Sequence, residues 1–171
     1  MNTSSILSNS RVYCGTYGKY NRGSIAGAWL TLSDYSDFDD FLTACQELHK
    51  DERDPEYMFQ DFENIPGVSG EPCLDDIRKW YDRADELADL TDDQIEAVMA
   101  YLDEIYSDAE VSDIMDKYMG CFNSEEEFAE QIFTDCCNIP DNLINYIDWS
   151  KVARDLFMDY YFIGEGYVFM A

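Results

Sequence analysis

Carboxylate side chains recur three or four residues apart over much of this chain, and that spacing limits the chemistry they could carry out. In the stretch 71–118, 16 acidic residues stand against four basic ones, Arg78, Lys79, Arg83 and Lys117. On a helix, residues three or four apart have Cβ atoms about 5–6 Å apart, close to the scale of neighbouring phosphates. Such carboxylates could hold metal ions, form an acid–base pair for hydrolysis, or present a dense negative surface.

The acidic positions that we predict to bind a partner lie in the middle of the chain and just after it. Many are grouped at helical spacing, as in Asp82–Asp85–Glu86–Asp89 and Glu126–Glu127–Glu130. We expect them to act collectively, because no single pair stands out. The full set is Asp75, Asp76, Asp82, Asp85, Glu86, Asp89, Asp92, Asp93, Glu96, Asp103, Glu104, Asp108, Glu110, Asp113, Asp116, Glu125, Glu126, Glu127 and Glu130.

Catalytic and metal-binding interpretations have weak support. The segment 89–93 lacks the alternating ligands, the glycine and the closing glutamate of a calcium-binding EF-hand loop. A carboxylate-pair hydrolase is not refuted, but nothing in the sequence selects the pair. The six cysteines form no CxxC pair and the single histidine is His49, so the usual zinc spacings are absent. We therefore predict a non-enzymatic protein without metal or cofactor, whose cysteines are free thiols in a reducing compartment.

The charge of the chain restricts its partners. It carries 37 acidic and 11 basic residues, a formal net charge of −26. Because phosphate contacts need clustered Lys and Arg, direct binding to nucleic acid and to anionic membranes is excluded. A basic protein surface, such as a nucleic-acid-binding groove, is the natural partner. The alternative explanation of the charge is that it is the acidic surface of a halophile's protein. Without an apolar leader or a long hydrophobic run, the sequence predicts a cytoplasmic protein.

Apolar periodicity predicts the helices that hold these carboxylates. Two stripes at helical spacing predict helices over 73–89 and 92–106 that pack against each other, with Thr91 and Gln94 as a capping box. A further short helix is predicted over 107–116. Residues 71–116 are therefore expected to form an acidic all-α middle unit, set off by the Pro- and Gly-containing stretch 65–70.

The flanking segments alternate between strand and helix patterns. Strands are predicted over 11–17, 28–32 and 56–63, with a turn at 18–23 and a helix that begins at a capping box on Ser36. After 117, we predict a strand to 122, a helix capped by Ser124, two short helical segments, and a hairpin over 158–170. The fold class is then α+β, elongated, with three small units in a row: 1–70, 71–116 and 117–171.

Two separated motifs resemble those of a known family. Arg11–Leu30 reads RVYCGTYGKYNRGSIAGAWL and resembles the opening of the ArdA antirestriction family, with its VY, GKYN and later Gly and Trp positions. Ile139–Leu156 reads IPDNLINYIDWSKVARDL and is similar to that family's C-terminal signature of Pro, Leu, NYID and RDL. The motifs occur in the family's order and at its distance, and the resemblance covers most of the chain.

The resemblance implies an acidic DNA mimic. Members of the family are elongated homodimers, commonly carried by mobile genetic elements. They occupy the DNA-binding groove of type I restriction–modification enzymes and block restriction of incoming DNA. The same occupancy would also block modification of DNA by these enzymes. Besides the hydrolase and the halophile's acidic surface named above, the residues alone leave the alternative of an acidic interaction module that binds another basic DNA-binding or regulatory protein.

Overall fold

The structure, a computed structural model, describes residues 2–105 and 108–171. The chain divides into two compact units, Met1–Val111 and Ser112–Ala171. Each unit combines helices with a three-stranded antiparallel sheet, which confirms the predicted α+β class. Among the described residues, no helix is both long and apolar enough to cross a membrane. The division into three domains stays a prediction.

The first unit combines a small sheet with short and long helices. Its elements are α1 (Thr3–Leu7), β1 (Arg11–Thr16), α2 (Tyr17–Asn21), β2 (Ala28–Thr31), α3 (Phe38–Leu48), β3 (Tyr57–Glu63), α4 (Leu74–Leu87) and α5 (Asp92–Ile105). Helix α6 (Val111–Lys117) begins at the last residue of this unit.

The first sheet places β1 between β2 and β3, and both pairings are antiparallel. Val12 and Cys14 are fully buried on one face of β1, as the period of two along a strand requires. A bulge between Tyr13 and Cys14 shifts the register against β3. Helix α3 adds Phe41 and Cys45 to the same core, and both are fully buried.

Helix α4 is anchored to this core by two buried aromatic side chains. The indole N–H of Trp80 donates to Ser10 Oγ at 2.9 Å, and the Tyr81 hydroxyl donates to the Leu32 carbonyl at 2.7 Å. The helix also packs on α1 and α3. The apolar stripes predicted that α4 and α5 pack against each other, but in the structure the closer contacts of α4 are with α1 and α3. These contacts and the two hydrogen bonds tie the acidic helix to the N-terminal part of the unit.

The second unit packs helices on a second sheet. Its elements after α6 are β4 (Tyr118–Cys121), α7 (Glu125–Cys136), α8 (Asp141–Ile144), α9 (Trp149–Leu156), β5 (Tyr160–Ile163) and β6 (Tyr167–Met170), with strand order β4-β6-β5. Phe128 and Phe169 are fully buried in its core. The hairpin β5–β6 is confirmed, and its turn needs Gly166, since φ is 123° there and an added Cβ would collide with the Phe122 carbonyl.

The N-terminal region holds two helices that the sequence did not predict. Helix α1 forms ahead of the first strand, because the Asn2 side chain accepts from Ser5 N at 2.8 Å and Leu7 is buried. Helix α2 occupies most of the predicted turn 18–23, because Thr16 Oγ1 accepts from Lys19 N at 3.1 Å. The two strands around it still pair as predicted.

Two helix starts were predicted at the wrong residue. Asp37, not Ser36, caps α3, and its carboxylate accepts from Asp40 N at 2.8 Å. Helix α6 starts at Val111, because the connection before it is held by side chains of α4, as described below. Residues 106 and 107, which were included in the predicted helices, lie outside the described residues.

Candidate functional site

Helix α4 separates its carboxylates from its buried side chains. At about 100° of rotation per residue, Asp75, Asp82 and Glu86 fall within about 40° of one another. These three residues, which we name the α4 stripe, are exposed. Trp80 and Ala84 are buried on the opposite side of the helix. The amphipathic pattern that fixes the helix to the core therefore also turns its acids towards solvent.

The basic residues of α4 are held by internal contacts. The Arg78 guanidinium stacks on the ring of Phe38, 4.1 Å from its centroid. Lys79 Nζ lies 2.7 Å from Asp108 Oδ2. Arg83 is buried, and its guanidinium donates to a backbone carbonyl of the connection after α5 at 3.0 Å. All three cations are thus engaged in contacts within the chain.

Helix α5 carries five acids and no base. Asp92, Glu96 and Asp103 fall within about 40° of one another and form the α5 stripe. Asp93 and Glu104 make a second row about 100° away from it. All five are exposed, while Tyr101 and other apolar residues are buried on the remaining side.

The structure exposes nearly all of the predicted carboxylates. Asp76 is the half-buried one, because its Oδ2 caps α4 by accepting from Cys73 N at 2.8 Å. The exposed members are Asp75, Asp82, Asp85, Glu86, Asp89, Asp92, Asp93, Glu96, Asp103, Glu104, Asp108, Glu110, Asp113, Asp116, Glu125, Glu126, Glu127 and Glu130.

Some of these exposed acids also hold the fold together. Asp85 Oδ1 accepts from the Thr3 hydroxyl at 2.9 Å and so fixes α1 on α4. Asp108 pairs with Lys79, as described above. Their partners are distant in sequence, and sequence spacing gave no sign of them. The predicted set is therefore not uniform, since part of it is already engaged within the chain.

The second unit presents its own acidic cluster at the start of α7. Ser124 caps this helix by accepting from Glu127 N at 3.2 Å, as the capping box predicted. The Glu127 carboxylate reaches one residue further back than predicted and accepts from Asn123 N at 2.6 Å. Glu125 and Glu126 also lie in the first turn, where the helix dipole stabilises negative charge.

Two neighbouring carboxyl groups have shifted pKa values of opposite sign. Partial burial raises the pKa of Asp103, because the charged form loses solvation. The hydrogen bond from Lys79 lowers the pKa of Asp108, because it stabilises the charged form. The two shifts therefore have different causes, loss of solvation for Asp103 and a charged partner for Asp108.

The cysteines and the histidine lie partly in the core and partly at the surface. Within residues 2–105 and 108–171, no group of three or more His, Cys, Asp or Glu side chains could hold a metal ion. Cys14 and Cys45 are buried thiols, and the other four free cysteines are exposed. His49 is buried at the end of α3, where Nε2 lies 3.2 Å from the Cys14 carbonyl and Nδ1 lies 2.9 Å from Lys19 Nζ.

Sequence reasoning missed the internal roles of the bases in α4. One signal for Arg83 was available, since it lies beside the buried positions Trp80, Ala84 and Leu87 on the helical wheel. A base at such a position needs a buried acceptor. The acceptor itself, a backbone carbonyl more than 20 residues later, could not be found from spacing.

Comparison with known families and proteins bears on this acidic surface. No curated protein matches the chain. The model of the family described as "Antirestriction protein (ArdA)" matches residues 12–169. That match includes all of the predicted carboxylates, both sheets except the end residues Arg11 and Met170, and the two motifs except Arg11. The chain belongs to the ArdA family of antirestriction proteins.

Proposed function

We propose that this protein is a non-catalytic DNA mimic that acts in the cytoplasm. It occupies the DNA-binding groove of type I restriction–modification enzymes and blocks restriction. Because the groove is occupied, it blocks modification as well. The observation that supports this most directly is the pair of exposed acidic stripes on α4 and α5, with the bases of α4 held internally. The carboxylates act as phosphate surrogates towards Lys and Arg in the groove.

The amount of charge fits a segment of duplex. B-DNA places one charge per about 1.7 Å of axis, so a net charge of −26 corresponds to about 44 Å of duplex per chain. Binding releases counterions from the enzyme's groove, so affinity falls as salt rises. Each carboxylate contributes little by itself, on the order of a few tenths to 1 kcal/mol for an exposed pair. If a single Asp→Asn change abolished inhibition, that result would contradict the collective action of the carboxylates.

We infer that two copies of the chain associate. Two chains of charge −26 repel each other, so contact is favoured where charge is sparse. Residues 136–147 contain one charged residue, Asp141, and they expose Leu143 and Tyr146, the latter by 85 %. Light scattering on the purified chain tests whether its molar mass is that of two associated copies. Small-angle scattering tests the elongated shape, because a compact globule of this length has a radius of gyration near 15–16 Å.

The first experiment is a competition assay. A type I restriction–modification enzyme is mixed with labelled target duplex and increasing amounts of the protein, at two salt concentrations. We expect displacement of DNA at near-stoichiometric protein, weaker at the higher salt, and no binding of the protein to the duplex itself. Failure to displace DNA at low salt from several such enzymes would refute the mimic and favour an acidic module for another basic protein.

A matched pair of variants tests the acidic surface itself. The test variant carries D82N, E86Q, D89N and D93N, all exposed residues of the α4–α5 region. The control carries E47Q, D54N, E56Q and D61N, which remove the same charge from exposed positions elsewhere in the first unit. We expect the test variant to bind more weakly and with a shallower salt dependence than the control. Equal loss in the two variants would mean that net charge, not placement, governs binding.

A further inference from the structure

A cleft of the first unit lies where the starts of three elements meet. Its walls are the start of α2, the start of β3 with the residues just before it, and the start of α4. Its volume is about 590 Å³, within the range of about 300–1,000 Å³ that is typical of ligand pockets. The cleft is therefore large enough to receive a long side chain of a partner.

The cleft carries negative charge that the chain does not neutralise. Its lining, all of it in the part of the chain that the structure describes, includes Glu56, Glu71 and Asp75 but no Lys, Arg or His. These three carboxylates are exposed and form no ion pair with a base among the described residues. In contrast, Glu52 and Glu63 of the same unit are each paired with an arginine. The charge of the cleft is thus available to a cationic partner.

Two tyrosine rings line the same cleft, those of Tyr17 and Tyr57. The Tyr17 hydroxyl donates to Glu71 Oε1 at 2.8 Å and so joins α2 to the segment before α4. This hydrogen bond raises the pKa of the Tyr17 phenol, and the charges of Glu71 and Glu56 add to the rise. The backbone N–H of Tyr17 also donates to the Glu56 carbonyl at 3.0 Å. Aromatic and acidic side chains are therefore held together around one position.

We infer that this cleft receives an arginine side chain from the DNA-binding groove of the restriction–modification enzyme. This inference rests on the proposed function and adds one specific contact to it. Asp75 lies both in the cleft and in the α4 stripe, so an enzyme groove that covers the stripe also reaches the cleft. A second copy of this chain is disfavoured as the occupant, because its net charge of −26 is repelled by the acidic lining.

Arginine fits this lining better than lysine does. Its planar guanidinium stacks on aromatic rings and donates two parallel hydrogen bonds to a carboxylate, whereas the ammonium of lysine is a compact point charge. DNA offers arginine a comparable site, since a narrow minor groove has an enhanced negative potential that attracts inserted arginine side chains. A cleft lined by one sign of charge concentrates the potential in the same way. The cleft therefore corresponds to a groove of DNA, while the stripes correspond to its phosphates.

The direct test titrates N-acetylarginine amide into isotopically labelled protein and follows the backbone amide signals by NMR. We expect saturable shifts of the signals of Tyr17, Glu71 and Asp75, and weaker shifts with N-acetyllysine amide as the comparison. E71Q removes the charge but keeps an acceptor for the Tyr17 hydroxyl, and it should lose most of the response. E47Q removes an exposed charge outside the cleft and should leave the response unchanged.

The competition assay tests the same contact in the complex with the enzyme. We expect E71Q to weaken binding about fivefold, because the charge that holds the guanidinium is lost, and E47Q to weaken it less than about twofold. Y17L removes a ring without a change of charge and should weaken binding about threefold, whereas Y17F keeps the ring and most of the affinity. E47Q is the charge control here, because Glu56 of the four-residue control above lines the cleft. Thermal unfolding of each variant controls for folding.

Four outcomes overturn the inference. If the arginine probe shifts none of the three signals, the cleft binds no arginine. If the lysine probe shifts them as strongly, the cleft does not select arginine. If E71Q and E47Q weaken binding equally, net charge and not the cleft is responsible. If the molar mass of E71Q falls together with its affinity, the cleft belongs to a contact between copies. The proposed function fails separately, if the protein displaces no DNA from the enzyme while the arginine probe still binds the cleft.

Discussion

At the scale of single residues, Asp103 and Asp108 affect stability in opposite directions. The raised pKa of Asp103 means that its charged form is disfavoured in the folded state, so this carboxylate reduces stability above its pKa. The lowered pKa of Asp108 means that its charge stabilises the folded state above the unfolded value of about 3.9. That contribution is lost as pH falls through the folded pKa.

We therefore predict that D103N raises the free energy of unfolding at pH 7 and that D108N lowers it. Both effects are small, since both side chains are largely exposed. The effect of D103N fades as pH falls from the raised folded pKa towards about 4, and that of D108N fades as pH falls below about 4. Urea unfolding at neutral and stepwise lower pH measures them. Each variant removes one negative charge, so relief of self-repulsion is common to both. If the free energy of unfolding changed by the same sign and amount in the two variants, the prediction would be contradicted.

Tyr81 tests the attachment of α4 to the N-terminal sheet. Its buried hydroxyl donates to the Leu32 carbonyl at 2.7 Å, and burial raises the pKa of the phenol, so the donor stays protonated at working pH. We predict that Y81F lowers the free energy of unfolding by about 1 kcal/mol, without pH dependence between about pH 6 and 9. Y20F, at an exposed position, is the control and should leave stability unchanged.

At the scale of elements, the cap of α7 positions the acidic cluster of the second unit. Ser124 Oγ satisfies Glu127 N, one of the unpaired N–H groups at the helix start. We predict that S124A lowers the free energy of unfolding by about 1 kcal/mol, with loss of helical signal in the same transition. S112A, at an exposed position in α6, is the comparison. Equal effects of S124A and S112A would show that the cap is not the cause.

The elements that sequence predicted well are those with local determinants. Helices α4, α5 and α7 combine an apolar stripe with a cap within a few residues, and their carboxylates point outwards because the stripe fixes the opposite side. Helices α1 and α2 were missed, because five residues cannot form a stable helix without tertiary contacts. The structural roles of Asp85 and Asp108 were missed for a related reason, since their partners are distant in sequence.

At the scale of the whole molecule, self-repulsion and partner binding respond to salt in opposite ways. A net charge of −26 destabilises the folded chain through repulsion among its own carboxylates. The acidic stripes concentrate this repulsion on α4 and α5, where the neighbouring bases are engaged in specific contacts. Dissolved ions screen charges more than a Debye length apart, and that length falls from about 30 Å at 0.01 M salt to about 10 Å at 0.1 M.

We predict that raising sodium chloride from about 0.01 M to about 0.3 M raises the thermal midpoint of the free protein and weakens its inhibition of a type I enzyme. Both changes have one cause, the screening of the same carboxylates. Scanning calorimetry and the competition assay, run in identical buffers, measure the two responses. D82N/E86Q/D89N/D93N should show a smaller response in both, because it removes part of the shared cause. If salt stabilised the protein and left inhibition unchanged, the carboxylates would contribute to self-repulsion without contacting the enzyme, and binding would depend on the uncharged part of the surface.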